Sequence, residues 1–167
     1  MFDIHDLRER RHHAGGVAER IWAAFWRHKG TPLERLQRGV EANLHSGNGV
    51  PFCLVAEIDG ELCGTASVIA NDEKTRPELT PWLAALWVDE AARGQGIAAA
   101  LLNDAARRCA VLGVERLYLV SRPALRDFYA SRGWQIREEC VGEAGLTLYG
   151  LELGAVSSHL KGAPQWI

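Results

Sequence analysis

No run of about 18 apolar residues, the length a membrane-crossing helix needs, occurs anywhere in this 167-residue sequence. Its start, Met1-Phe2-Asp3-Ile4-His5-Asp6-Leu7-Arg8, lacks the apolar core of a signal peptide, so a cytoplasmic protein is expected. Cysteine is scarce. Cys53, Cys63, Cys109 and Cys140 form no CxxC pair and no metal-ligand spacing, which argues for free, mostly buried thiols and against a disulfide framework. His5, His12 and His13 lack partnering cysteines or carboxylates at ligand spacing, so solvated side chains and no metal are expected there. Net charge is nearly absent: a balance of −2 provides no basic footprint for nucleic acid and leaves small molecules or other proteins as partners.

What is present suffices for one domain, since a chain of this length buries about 70% of its unfolded surface. The expected domain spans 1–167, with a core over 17–153 and a tail over 154–167. Val17, Ile21, Trp22, Phe25 and Trp26 recur at helical spacing until Gly30. Thr31-Pro32-Leu33-Glu34 matches a capping box opening a second helix through Leu36, Val40 and Leu44. Asp59-Gly60 then joins two apolar runs as a two-residue hairpin. That register sets Cys53 opposite Ala66 and Cys63 opposite Ala56, with the thiols on opposite sides of the sheet.

Trp82 to Val88 reads as a central strand buried on both faces. A helix over about Ile97 to Leu112, stopped by Gly113, and a strand at Leu117 to Val120 complete a right-handed βαβ unit. Pro123 opens a short helix through Phe128 and Tyr129, closed by Gly133, and Trp134 to Cys140 and Leu146 to Leu153 read as an antiparallel pair.

Between the central strand and its crossover helix stands Arg93-Gly94-Gln95-Gly96-Ile97-Ala98. Two residues without side chains let backbone N–H groups turn inward, and the helix starting there adds unpaired donors and the positive end of its dipole: the chemistry of a pyrophosphate cradle. Gly94-x-Gly96-x-x-Ala99 also satisfies the dinucleotide fingerprint, but Asp89 to Arg93 separate it from the strand, and the next strand ends in Ser121 with no acid to hold a ribose.

The order of hairpin, apolar strand, Arg93–Ala98 segment, amphipathic helix and strand, followed by Phe128-Tyr129-Ala130-Ser131-Arg132-Gly133-Trp134, resembles the GNAT superfamily of acetyl-CoA-dependent N-acetyltransferases over about Phe52 to Leu153. Arg93, Gly96 and Ala98 meet its Arg/Gln-x-x-Gly-x-Gly/Ala segment; Phe128, Tyr129, Gly133 and Trp134 meet a downstream Phe-Tyr-x-x-x-Gly-aromatic segment. The resemblance implies an α/β fold with a twisted, mostly antiparallel sheet, a splayed parallel central pair and flanking helices. It implies acetyl-CoA as cosubstrate, held by backbone N–H groups over Gly94, Gln95, Gly96, Ile97 and Ala98, with Arg93 assisting and the pantetheine arm beside Leu86, Trp87 and Val88. Tyr129 would protonate the leaving thiolate, and a backbone donor near Trp87 or Val88 would bind the oxyanion.

The acceptor expected is a primary amine of a small molecule, peptide or protein. Such an amine, with a pKa near 10.4, gives up its proton at a cost of roughly 4–5 kcal/mol at neutral pH. Glu78, Asp72, Glu73 and Glu57 are candidate bases beside an ordered water, while Trp82, Glu78 and Trp26 are candidates to line the acceptor site. Without a convincing nucleophilic cysteine, direct attack in a ternary complex is expected. A non-catalytic acyl-CoA-binding module is the alternative, a homodimer through edge strands is possible, and no membrane contact is expected.

Overall fold

The computed structural model describes residues 1–154; of the tail expected over 154–167, all but Gly154 lies outside the described residues. Seven strands, β1 Asp3–Asp6, β2 Phe52–Ile58, β3 Glu61–Ile69, β4 Trp82–Val88, β5 Arg116–Ser121, β6 Gln135–Val141 and β7 Leu146–Glu152, form a sheet in the order β1-β2-β3-β4-β5-β7-β6. The β1/β2, β2/β3, β5/β7 and β6/β7 pairs are antiparallel. β4 and β5 run parallel, with their register at Trp82↔Tyr118. The helices are α1 Ala14–Ile21, α2 Leu33–Leu44, α3 Ile97–Val111 and α4 Arg126–Ala130. Two compact units result, one of Met1–Ile69 with Ala84–Ala105 and one of Ala70–Leu83 with the chain from Ala106 onward.

In the first unit, Val17, Ala18 and Ile21 of α1 and Val40 and Leu44 of α2 bury against Leu7, Cys53, Val55 and Leu62, as their helical spacing predicts. α1 widens into a π-helical turn at Trp22–Trp26, tightens at Arg27–Lys29 and stops at Gly30, whose φ of 71° suits a residue without Cβ. The capping box does not form. Pro32, extended at ψ 144°, takes the cap position, and Thr31 is held outside the helix by the Trp22 indole, which donates to its carbonyl at 2.7 Å.

Asp59 and Gly60 both have positive φ, 53° and 83°, as a type I′ hairpin turn requires. Next to the turn, Glu57↔Leu62 follows the expected register, but a bulge between Ala56 and Glu57 shifts everything beyond it by one residue. Cys53 therefore lies opposite Ser67 rather than Ala66, and Ala56 opposite Gly64 rather than Cys63. All four cysteines are free; three are buried and Cys140 is exposed.

β1 has no counterpart in the sequence reading, because four residues reading Asp-Ile-His-Asp carry too little apolar patterning to signal a strand. Pairing with β2 forms it, from Asp3↔Glu57 to Asp6↔Leu54. This strand and the turns after it gather His5, Arg10 and His13 around Glu57, which is only 7% exposed. His13 Nε2 lies 2.9 Å and Arg10 Nε 3.2 Å from Glu57 Oε1, and His5 Nε2 lies 3.7 Å from Oε2. The expectation of solvated His5 and His13 is thus corrected: they meet Glu57, some 50 residues away in sequence, only through β1–β2 pairing.

In the second unit, Trp82 is fully buried against Tyr118, and the Tyr118 N–H donates to the Pro81 carbonyl at 3.1 Å. β7 is buried between β5 and the largely exposed β6, whose Arg137, Glu138 and Glu139 suit a sheet edge that must not pair further.

Burial pushes the Glu57 carboxyl up, but the His13 hydrogen bond and the Arg10 charge outweigh it and hold the group below its ordinary value of 4.5. Its contribution is therefore complete above that value and lost as pH falls through the lower folded pKa. Glu57→Gln is expected to destabilise the protein at pH 7 by about 2 kcal/mol, because the half-buried Arg10 guanidinium loses its counter-charge and His13 its carboxylate partner. In thermal melts from pH 7 to pH 3, the gap between variant and parent should close in the acid limb.

Candidate active site

The last residues of β4 are shaped by one unusual backbone conformation. Ala85 has φ 52°, a left-handed value that an alanine adopts at a cost of about 1–2 kcal/mol. Ala85, Leu86 and Trp87 then remain partly accessible in a central strand, so the expectation of burial on both faces holds only at its ends. Val88 is buried, and the Asp89 N–H donates to the Cys63 carbonyl at 2.8 Å, tying the strand end to β3.

Arg20 of α1 fixes this junction. Its guanidinium meets both Asp89 carboxylate oxygens, Nε at 2.9 and 3.0 Å and Nη2 at 2.8 Å from Oδ2, and donates also to the Leu62 and Gly16 carbonyls. Trp87 Nε1 donates to Asp89 Oδ1 at 3.1 Å, while Phe25 meets the indole edge-on with ring centroids 6.2 Å apart. Partial burial pushes the Asp89 carboxyl up, but the Arg20 and Trp87 hydrogen bonds prevail and hold it below its ordinary value. Arg93 lies across the Trp87 ring, 4.9 Å from its centroid, and donates from Nε to the Val88 carbonyl at 3.1 Å.

Gly94 and Gly96, at φ 77° and 84°, then turn the chain into α3, and space is open where a Cβ would stand on either. Ala100 N–H donates to the Gly96 carbonyl at 3.0 Å, closing the first turn, so the N–H groups before it point out from the helix start. Ile97 and Leu101 anchor that turn, 1% and 0% exposed. They rest on Gly64 of β3, where a Cβ would come within 3.2 Å of Ile97 Cγ2 and of the Trp87 carbonyl oxygen. The start of α3 is thus seated on β3, with open space where a Cβ would stand on Gly94 or Gly96, and a helix start of this kind turns N–H groups toward an anion.

In the second unit, Tyr129 of α4 is 5% exposed and packs with ring centroids 5.1 Å from Phe128, 6.3 Å from Trp134 and 5.2 Å from Tyr149. Burial, with the Tyr149 phenol adding to it, pushes its pKa up to about 12, so it stays protonated across the neutral range.

The expected site residues therefore divide. Leu86, Trp87, Val88 and the segment Arg93, Gly94, Gln95, Gly96, Ile97 and Ala98 form one continuous structure in the first unit. Trp82 does not face an acceptor: it is fully buried, with Nε1 donating to the Leu79 carbonyl at 2.6 Å, and is a core side chain. Trp26 packs against the α1–α2 core with Lys29 Nζ 4.8 Å over its ring, and Glu78 is exposed. Glu73 accepts from the Thr75 N–H and hydroxyl, which hold it below its ordinary value. Neither Glu57 nor Glu73 is thus suited to act as a base near neutral pH. Sequence reasoning missed Arg20, Gly64 and Ala85. Arg20 lies 69 positions from Asp89, and nothing in an alanine's identity announces a left-handed backbone.

The family model for the acetyltransferase (GNAT) family matches residues 11–134. No curated protein sequence matches the chain. Among solved structures, an acetyltransferase of the GNAT family from Streptococcus pneumoniae is similar at TM-score 0.68 and 16% identity, over 92% of this chain and 100% of its own. An N-acetyltransferase from Staphylococcus aureus is similar at TM-score 0.69 and 18% identity, over 92% and 99%. So is yncA from Salmonella typhimurium, whose structure includes its cofactor acetyl-CoA, at TM-score 0.69 and 18% identity, over 100% and 99%.

Gly64→Ala tests the seating of the donor ring. The new Cβ would press on a backbone oxygen that cannot move aside, so a destabilisation of about 1–3 kcal/mol is expected in urea unfolding. Coenzyme A should then raise the melting temperature of the variant less than that of the parent.

Proposed function

The chain belongs to the acetyltransferase (GNAT) family, and we propose that it moves the acetyl group of acetyl-CoA to a primary amine by direct attack, with no acyl-enzyme. The observation that carries this reading is the donor ring of Gln95 to Ala98, opened by two left-handed glycines and anchored by Ile97 and Leu101. Its N–H groups hold the pyrophosphate of the coenzyme, and the Arg93 guanidinium adds positive charge beside it. The pantetheine arm lies along Leu86, Trp87 and Val88. A backbone N–H at Trp87 or Val88, turned by the left-handed Ala85, meets the negative charge that develops on the thioester oxygen.

Tyr129 supplies the proton to the departing sulfur. With its pKa pushed up to about 12 it is fully protonated before reaction, as an acid must be. Giving that proton to a thiolate of pKa about 8.5 is nevertheless uphill by roughly 5 kcal/mol unless the resulting phenolate is stabilised. Glu57 and Glu73 are already engaged and Glu78 is exposed, so the amine proton leaves to water.

Thiol release from acetyl-CoA against a panel of small amines, polyamines and peptide N-termini is the direct test. Turnover on at least one acceptor is expected. Coenzyme A binding without turnover on any would favour a non-catalytic acyl-CoA-binding module. Tyr129→Phe should lower kcat about 10²-fold with KM for acetyl-CoA nearly unchanged. An unaltered kcat would remove Tyr129 as the proton donor.

A further inference from the structure

The chain between β1 and α1 brings two histidines to one buried carboxylate. Glu57 is the only charged residue of β2 and stands at the bulge after Ala56, where the strand leaves its regular alternation. The 3₁₀ turn Arg11–His13, which leads into α1, carries His12 and His13 with their ring centroids 4.0 Å apart and tilted by 47°. One ligand atom from each of His12, His13 and Glu57 lies within 4.8 Å of the others. The His13 and Glu57 side chains are 11% and 9% exposed, with Nε2 of the one 2.9 Å from Oε1 of the other, while His12 is open to solvent. Spacing does not reveal this set, because Glu57 lies 44 positions beyond His13 and only folding brings it there.

We propose that His12, His13 and Glu57 bind a divalent transition-metal ion of the zinc class, with water in the fourth position. Two imidazoles and one carboxylate are a donor set such ions favour, and a tetrahedral ion about 2.0–2.1 Å from each ligand sets neighbouring ligand atoms about 3.3 Å apart. His13 and Glu57 already stand close to that separation, at 2.9 Å. The exposed His12 ring is free to turn toward them, and its exposure gives the ion a path from solvent. The ion takes the place of the hydrogen between His13 Nε2 and Glu57 Oε1, and a neutral His13 then carries its hydrogen on Nδ1. Arg10 is the competing cation, with Nε 3.2 Å from Glu57 Oε1 and donating to Oε2 at 3.4 Å. It need not leave. Oε2 continues to accept from it, its Nη1 donates to the Glu9 carbonyl at 3.2 Å, and its Nη2 lies 3.3 Å from His5 Nε2. A carboxylate held on its far oxygen turns the near one to the ion, and the bound ion ties the turn before α1 to β2.

Zn²⁺ titrated by calorimetry into the full chain at pH 7, after dialysis against a chelator, should bind at one site per chain with a Kd of about 1 μM or below. Saturating Zn²⁺ should raise the melting temperature by about 5 °C. His12→Ala carries the test, because it changes an exposed side chain and leaves the His13–Glu57 hydrogen bond in place. It should keep the metal-free melting temperature and weaken Zn²⁺ binding by about tenfold or more. His45→Ala is the control. It removes the exposed pairing of His45 with Glu41, 3.9 Å apart one helical turn away in sequence, and should leave Zn²⁺ binding unchanged. Binding only at about 1 mM or weaker overturns the proposal. So does an affinity that His12→Ala leaves unaltered, or one that His45→Ala abolishes.

Discussion

The placement of the start of α3 depends on how closely its first turn can approach β3. A helix start offers unpaired N–H groups to a ligand only if it is held still, and here it is held by Ile97 and Leu101 lying directly on Gly64. A methyl group there would crowd Ile97, Leu101 and the Trp87 carbonyl oxygen at 3.2–3.3 Å. From that constraint follow the sharp left-handed turns at Gly94 and Gly96, which bring the chain from the strand end into a helix already fixed in place.

Charge is managed in the same first unit by pairing rather than exposure. The half-buried Asp89 is gripped by Arg20 and the Trp87 indole, and the buried Glu57 by Arg10 and His13, so each carboxylate has donors on both oxygens. Both are held below their ordinary pKa. A carboxylate stabilised in this way is a structural anion, and the same donors that permit its burial disqualify it as a proton acceptor at neutral pH. Tyr129 stands at the other extreme. Its burial raises the pKa instead.

Most of the fold was legible because most of it is local. The hairpin turn at Asp59-Gly60, the strand Trp82–Val88, the crossover helix from Ile97 and the short helix through Phe128 and Tyr129 all stand where residue patterning places them. Failures have local reasons too. The capping box at Thr31 yields to a hydrogen bond from Trp22, and the Cys53 register yields to a bulge that an alternating pattern cannot reveal. β1 is a strand because β2 offers it an edge, and four mostly polar residues carry no signal of that.

The sequence by itself determined the chemistry of the donor ring, since Arg93, Gly94 and Gly96 are read directly from their spacing and need no partner elsewhere in the chain. It also pointed to the family, through the Arg93–Ala98 segment together with the downstream Phe128–Trp134 segment. Tertiary structure alone decided which side chains are committed: that Trp82 is core, that Glu57 belongs to His13 and Arg10, and that Arg20 holds Asp89. It alone decided as well that Ala85 is left-handed and that, among the described residues, the Tyr149 hydroxyl has no hydrogen-bond partner. The physical reason is that backbone preference acts over a few residues, whereas burial, ion pairing and hydrogen-bond satisfaction are properties of neighbours that only folding brings together.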